Sequence, residues 1–274
     1  MPDIVIHVVA SALYAALALH FWNTRWRLGA VVQPGLRGWE RAAILVPLAV
    51  HGALLYAEMF ARAELRFGFA YALSVMFWLT VLFYWLESFI YELDALQAPA
   101  LALAALAVPL PALFPGRVSG MAAAFEFRLH LTLAMLAYSL FTIAILHAVL
   151  MAVVERQLHR RGAGAAGALP PLRTPLLTLE RLLFRLIGAA FALLTLTLAT
   201  GIAYSETLFG RALRFDHKTV FAVLSWLTFG VLLAGRWLRG WRGRTALRWT
   251  LSGFVLLILA YVGSRFVLEV ILAR

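Results

Sequence analysis

The chain has no cysteine, which excludes disulfide bonds, thiolate nucleophiles and iron–sulfur ligation. It has a single lysine, Lys218, and only 14% of its 274 residues are charged, whereas a soluble globular domain has roughly 25%. Hydrophobic residues make up 64% of the sequence. A soluble protein of this length could not cover its surface with so few polar residues, so the composition predicts an integral membrane protein.

The hydrophobic residues form runs of the length that a membrane helix needs, about 20 residues. We predict an all-α, polytopic helix bundle with eight transmembrane helices in a single domain, 1–274. The helices are predicted at residues 4–22, 39–57, 67–91, 96–113, 127–153, 178–203, 218–235 and 248–272. Segment 156–177 is rich in glycine and alanine and is predicted to be a flexible cytoplasmic linker.

The distribution of arginine predicts the orientation of these helices. The fourth segment, 96–113, is the weakest prediction because Pro99, Pro109 and Pro111 break or kink helices. If it spans, most basic residues, including those of 236–249, lie on one side of the membrane; if it does not, they are divided almost evenly. The positive-inside rule therefore favours eight spans with both termini outside the cytoplasm, in a bacterial inner (plasma) membrane.

The net charge of +11 has its explanation in the same rule. The arginines flank apolar segments, a pattern typical of membrane orientation and not of nucleic-acid binding. The sequence contains no Walker motif, G-x-S-x-G elbow or H-E-x-x-H motif. We therefore predict no catalytic residues, and the sequence favours a protein that is not an enzyme.

The seven histidines are the main candidates for a binding site, since polar groups at membrane depth are costly and often functional. Eight spans place His51, His130 and His217 in the outer half of the membrane or at its outer surface, with His7 as a fourth candidate. His130 and His147 are roughly 25 Å apart on one helix, so a shared ligand must join different helices. The alternative without a ligand is that each histidine forms its hydrogen bonds with a neighbouring helix, or, in the case of His217, simply lies at the membrane interface.

Charged residues near the same surface are the next candidates. Glu126 lies one helical turn before the histidine of the fifth helix and could orient its imidazole. Arg265, near the outer end of the last helix, could hold a ligand carboxylate, or could simply pair with Glu269. Asp216 is predicted to cap the seventh helix, with an anionic group close to Lys218 in its first turn.

Several stretches resemble the cytochrome c assembly protein family, over about residues 40–272. The most specific are "RLHLTLAMLAYSL", the entry to the sixth helix "LPPLRTPLLTLE", and "AYVGSRFV" near the end. The resemblance is closer to the eight-helix HemX-like branch of bacterial inner-membrane proteins than to the larger CcsA-type haem synthetases.

This resemblance implies that the protein handles haem, with histidines as axial ligands of b-type haem. His51 and His130 match positions of such ligands, and His217 matches an external histidine more loosely. Arginine or lysine, here Arg265 and Lys218, would pair with the haem propionates. The tryptophan-rich motif W-G-x-x-W-x-W-D of the larger members is absent, which implies that this chain binds or passes haem and does not attach it to protein.

Two other classes of function remain open from the sequence. The histidines, with Glu58, Glu126 and Asp216, could line a divalent-cation path in an auxiliary subunit of a transport system. Alternatively, the chain could be a non-catalytic membrane scaffold. The expected partners are membrane lipid, haem, and other membrane proteins of cytochrome c biogenesis or transport, but no nucleic acid.

Overall fold

The structure, a computed structural model, describes residues 2–27, 35–59, 65–93, 95–119, 124–161, 175–209 and 216–272. These residues are almost entirely helical. In chain order the elements are α1 (Pro2–Phe21), α2 (Gly38–Met59), β1 (Leu65–Phe67), α3 (Phe69–Glu87), α4 (Gln97–Ala107), α5 (Leu110–Leu113), β2 (Arg117–Ser119), α6 (Phe125–Arg161), α7 (Leu176–Phe209), α8 (His217–Arg239) and α9 (Gly243–Ile258). π-helical turns extend α1 over Trp22–Arg27 and α9 over Leu259–Gly263, and a further one covers Val267–Ile271.

Within the described residues, seven helices are long and apolar enough to cross a membrane: α1, α2, α3, α6, α7, α8, and α9 with its extension. The chain is therefore a polytopic helical membrane protein, as its composition predicts. The linker predicted at 156–177 is shorter than expected, because α6 continues to Arg161 and α7 already begins at Leu176. Residues 162–174 lie outside the described part of the chain, so the flexibility of this linker stays a prediction.

The predicted fourth helix, 96–113, is divided into two shorter helices. Pro99 lies in the first turn of α4, where its missing N–H costs nothing. The division falls at Val108 and Pro109, and Pro109 is the residue that caps α5. Neither α4 nor α5 alone has the length of a membrane span, so the count of eight spans stays a prediction.

The two ends of the bundle can be identified from contacts. β1 and β2 pair antiparallel, with Leu65 opposite Ser119, beside the starts of α3 and α6; we refer to this as the strand end. The opposite end contains Arg25, Arg41 and Ser88, and we refer to it as the Arg25 end. There Arg41 donates to the carbonyl of Ser88 at 2.9 Å. Since the residues that follow Ser88 lead through α4 and α5 to β2, this part of the chain passes from the Arg25 end to the strand end.

Contacts between α1 and α4 fix the direction of α4. The imidazole Nδ1 of His7 donates to the carbonyl of Val108 at 2.8 Å, and the hydroxyl of Ser11 donates to the carbonyl of Ala105 at 2.7 Å. The two helices are therefore antiparallel, and the end of α4 lies beside the start of α1.

A buried ion-pair network closes the Arg25 end. Arg25 is completely buried and Glu40 is 1% exposed. Nη2 of Arg25 donates to Oε2 of Glu40 at 2.8 Å and to the carbonyl of Gly35 at 3.0 Å. Oε1 of Glu40 lies 3.0 Å from Nε2 of His20. The π-helical turn after α1 is thereby attached to the first turn of α2.

Candidate functional site

His130 lies near the start of α6, at the interface with α7. Its Nδ1 is 3.1 Å from the hydroxyl oxygen of Thr200. That hydroxyl already donates to the carbonyls of Leu196, at 2.9 Å, and Thr197, at 3.0 Å. Because a hydroxyl has only one proton and two carbonyls are placed to accept it, we assign the proton of the neutral His130 ring to Nδ1, which then donates to Thr200.

This hydrogen bond determines the chemistry of the other ring nitrogen. With the proton on Nδ1, the neutral imidazole of His130 carries its lone pair on Nε2, which is the form that binds a metal. The His130 ring is half-buried, and its Cε1 packs so close to Gly201 that a β-carbon there would come within 3.2 Å. Thr200 and Gly201 therefore orient the ring, as outer-shell groups of metal-binding histidines do.

His217 lies at the same end of the bundle as His130. The indole nitrogen of Trp226 donates to the hydroxyl of Thr195 at 2.8 Å, which sets α8 alongside α7. At 1.5 Å per residue, His217 lies about 6 Å further towards the strand end than Thr200. Its side chain is exposed, so His217 is accessible to a ligand that approaches this end.

Asp216 caps α8, as the sequence predicts. Its carboxylate accepts hydrogen bonds from the backbone N–H of Thr219, at 3.0 Å, and from the hydroxyl of the same residue, at 3.1 Å. Partial burial raises the pKa of Asp216, but these hydrogen bonds and the charge of Lys218 outweigh it, so the pKa lies below its ordinary value. The carboxylate is therefore ionised in its capping role.

Basic groups are clustered beside this cap. Lys218 is within electrostatic range of Arg265, Asp216 and Glu269. Nη1 of Arg265 is 4.0 Å from Oε1 of Glu269, and Nε of Arg265 is buried with no hydrogen-bond partner among the described residues. Oε2 of Glu269 lies against Gly68, where a β-carbon would be only 2.6 Å away. The predicted Arg265–Glu269 pair is thus confirmed, but it leaves donor capacity on Arg265.

His51 lies in a different environment, among α1, α2 and α3. It is 1% exposed, with Nε2 2.8 Å from the hydroxyl of Ser74 and its ring edge-on to Tyr14, 5.8 Å between centroids. Its Nδ1 is buried and has no hydrogen-bond partner in the described part of the chain.

The partners of His51 and the partner of His130 lie on different helices. Those of His51 are on α1 and α3, whereas that of His130 is on α7, and α3 packs against both α2 and α6. The binding of one iron by both histidines therefore stays a prediction. Among the described residues, no group of three or more histidine, aspartate or glutamate side chains is arranged to hold a metal ion.

Sequence reasoning missed the partners of several polar groups. Thr200, and not Glu126, contacts His130; the only signal in the sequence is the pair of threonines 197 and 200, one turn apart on the same face of an apolar helix. Nε2 of His7 is 2.8 Å from Oε1 of Glu58, a pairing that no spacing in the sequence indicates.

Comparison with known proteins gives a consistent set of relatives. The model of the family described as cytochrome C assembly protein matches residues 40–272. The inner membrane protein YpjD of Escherichia coli (strain K12) is 30% identical over 273 residues, which cover 94% of this chain and 99% of YpjD. The cytochrome c biogenesis protein CcsA of Microcystis aeruginosa is 35% identical over 100 residues, 36% of this chain and 30% of CcsA. No solved structure matches.

Proposed function

The chain belongs to the cytochrome c assembly protein family, and we propose that it binds b-type haem non-covalently and holds or passes it during cytochrome c biogenesis. The observation that carries this proposal is the orientation of His130, whose Nδ1–H is committed to Thr200 while Nε2 keeps its lone pair. The family supplies the kind of ligand, and the ring orientation supplies a nitrogen that can bind the haem iron.

The proposed site lies at the strand end. His130 and the exposed His217, one turn further out, would hold the haem iron through their imidazole nitrogens. Arg265 and Lys218 are the candidates for pairing with the two propionates, because bidentate pairing of arginine with carboxylates is strong and directional. These side chains fit haem by their donor chemistry, and haem supplies the redox-active iron that an acceptor cytochrome needs.

His51 would contact haem at a different position from His130. Its unpartnered Nδ1 is a ligand atom, but its imidazole is 1% exposed, so haem can reach it only if α1, α2 and α3 move apart. We therefore place His51 in a second, internal position that haem occupies after the strand end. This order predicts that His51 is dispensable for the first binding event.

The proposed topology has eight spans, with the strand end outside and the Arg25 end in the cytoplasm, in the bacterial inner membrane. Three observations support it. The chain from Ser88 to β2 passes from one end of the bundle to the other. The relative YpjD is named an inner membrane protein. The turn between α8 and α9, at the Arg25 end, is flanked by Arg239, Arg242 and Arg244.

Reporter fusions test this topology. A fluorescent protein that folds only in the cytoplasm should be active when fused after residue 165 or residue 242, and inactive after residue 272, because the last position lies at the strand end. An active fusion after residue 272, or an inactive one at either of the other positions, would contradict the proposed orientation.

Haem titration tests the function. Purified protein in lipid nanodiscs should develop a Soret band with haem, and His130→Ala should abolish most of it because the half-buried iron ligand is lost. His217→Ala should weaken binding less, since water can replace an exposed ligand more easily. His51→Ala should leave the first binding event unchanged, and His159→Ala, at the far end of α6, serves as the control. A Soret band that all four variants retain would overturn the proposed ligands, and no band in the unmodified protein would overturn haem binding.

Thr200→Val tests the orientation of His130 without removing a ligand. Loss of an outer-shell hydrogen bond typically costs about 10–100-fold in metal affinity, so the variant should bind haem that much more weakly. Thr132→Val is the matched control, because Thr132 is exposed on α6 and its hydroxyl donates to its own helix. Equal affinity of both variants would show that Thr200 does not orient the ligand.

A further inference from the structure

A buried carboxylate and a buried imidazole face each other between α3 and α6, away from the proposed haem site. His147 is completely buried, and its Nε2 lies 3.5 Å from Oε2 of Glu87, the last residue of α3. Nε2 of His147 and both carboxylate oxygens of Glu87 are buried and have no hydrogen-bond partner in the described part of the chain. Three polar atoms without a donor therefore share one small volume of the bundle interior.

The contact of Nδ1 of His147 determines how many protons the Glu87–His147 pair needs. Nδ1 of His147 is 2.8 Å from the carbonyl of Ile143, one turn earlier on α6. A carbonyl can only accept, so Nδ1 carries a hydrogen, and Nε2 of the neutral ring presents a lone pair. If Glu87 were ionised as well, two acceptors would face each other with nothing to donate between them, an arrangement that costs several kcal/mol in an apolar interior. One added proton removes this conflict.

Charge favours a proton over a metal ion as the occupant. Glu87 brings one negative charge and the imidazole none, so a single proton makes the pair neutral, whereas a divalent cation would leave a net positive charge buried in the bundle. Two protein side chains are also fewer than the three that a typical zinc site supplies. A carboxylic O–H directed at the lone pair of Nε2 removes the repulsion, and the hydrogen bond forms once the present 3.5 Å shortens by roughly 0.5–1 Å.

A polar cavity lies at the Arg25 end, beside the residue that follows Glu87. It has a volume of about 210 Å³ and is lined by Arg41, Ser88, Tyr91, Glu92 and Gln97 among others. Ser88 directly follows Glu87 in the chain, so the end of α3 leads into the wall of this polar cavity, although the carboxylate oxygens themselves do not line it. The volume would hold several water molecules, at roughly 30 Å³ each.

Two arginines of neighbouring elements lie at this end, and neither forms an ion pair with Glu87. Arg41 of α2 donates to the carbonyl of Ser88 and stacks over Phe89. Arg236 of α8 is paired with Glu180 of α7. No ion-pair partner other than His147 lies within 4 Å of Glu87 among the described residues. His147 is therefore the ion-pair partner of Glu87 in the described part of the chain, whereas the buried Nε of Arg41 has no hydrogen-bond partner there.

We propose that Glu87 and His147 form a proton-binding site inside the membrane, in which Glu87 holds one exchangeable proton and donates it to Nε2 of His147. The proton exchanges with water through the cavity beside Ser88. This inference does not depend on haem binding, because it rests on different residues at a different end of the bundle.

Infrared spectroscopy of the protein in lipid nanodiscs tests the site. The difference spectrum between the unmodified protein and Glu87→Gln should contain the C=O stretching band of one protonated carboxyl group. The band should shift to lower frequency in D₂O, because the proton exchanges. His147→Leu should retain the band but move it to higher frequency, since the carboxylic O–H loses its acceptor.

Glu87→Gln is expected to fold, because its amide N–H can donate to Nε2 in place of the carboxylic proton. Glu126→Gln, a half-buried glutamate near the other end of α6, is the matched control and should leave the band in place. If Glu87→Gln removes an ionised carboxylate band instead, the proposal is wrong. It is equally wrong if calorimetry shows Zn²⁺ binding that both Glu87→Gln and His147→Leu abolish, because the occupant is then a metal ion.

Discussion

Replacement of Arg25 by leucine is expected to lower the free energy of unfolding by about 3–5 kcal/mol. The guanidinium is completely buried and its Nη2 lies 2.8 Å from Oε2 of Glu40. Without it, a carboxylate that is 1% exposed would keep its charge in the interior, and its remaining partners among the described residues would be the backbone N–H of Arg37, at 2.8 Å, and His20. The large effect comes from the charge left behind and not from the strength of the ion pair itself.

The measurement is the melting temperature of the purified variant in nanodiscs, for which a decrease of roughly 6–20 °C corresponds to this loss. The double variant Arg25→Leu/Glu40→Leu should recover much of the stability, because it removes both charges together. Arg239→Leu is the control: Arg239 is exposed at the same end of the bundle, so its replacement should change the free energy by no more than about 0.5 kcal/mol. If the double variant were as unstable as Arg25→Leu, the unpaired carboxylate would not be the cause.

The positions of the helices could be predicted from the sequence, because hydrophobic length alone determines where a chain can cross a membrane. The predicted bounds 39–57 and 218–235, for example, lie inside α2 and α8. Asp216 was equally predictable as a cap, since capping depends on neighbouring residues only. The position of an apolar helix along the chain is thus readable from a single sequence.

Which neighbouring helix a side chain faces cannot be predicted from the sequence in the same way. His51 and His130 are both near the strand end of their helices, but one faces α1 and α3 while the other faces α7. Which side of a helix meets which neighbour depends on the packing of the whole bundle, and no local pattern records it. The pairings of His7 with Glu58 and of His147 with Glu87 escaped prediction for this reason.

The fourth segment shows a further limit. Its three prolines predicted a break, but Pro99 is harmless in the first turn of α4, whereas Pro109 marks the actual division. The effect of a proline depends on its position relative to a helix start, which is itself part of the unknown. The sequence could therefore indicate a broken helix but not the site of the break.

Substitution of Gly253 by valine is expected to separate α8 from α9. The free energy of unfolding should fall by about 1–3 kcal/mol, the usual cost of overpacking. A β-carbon at this position would lie 2.8 Å from Cζ and 2.9 Å from Cε2 of Phe229. The Phe229 ring cannot withdraw, because it is completely buried and stacked on Phe141 of α6, 3.8 Å between centroids and 18° between planes. The glycine is thus required for the close approach of the two helices, as small residues are in membrane bundles.

Thermal unfolding of Gly253→Ala and Gly253→Val in nanodiscs should show a graded loss of stability, with the valine variant the less stable. Gly188→Ala is the matched control, since Gly188 lies within α7 and a β-carbon there would meet nothing within 4 Å; it should be neutral or stabilising by about 0.5–1 kcal/mol. Phe229→Leu should rescue part of the loss in Gly253→Ala, because a smaller and more flexible side chain can move out of the way. A Gly253→Val variant as stable as the unmodified protein would mean that α8 and α9 do not pack through this glycine.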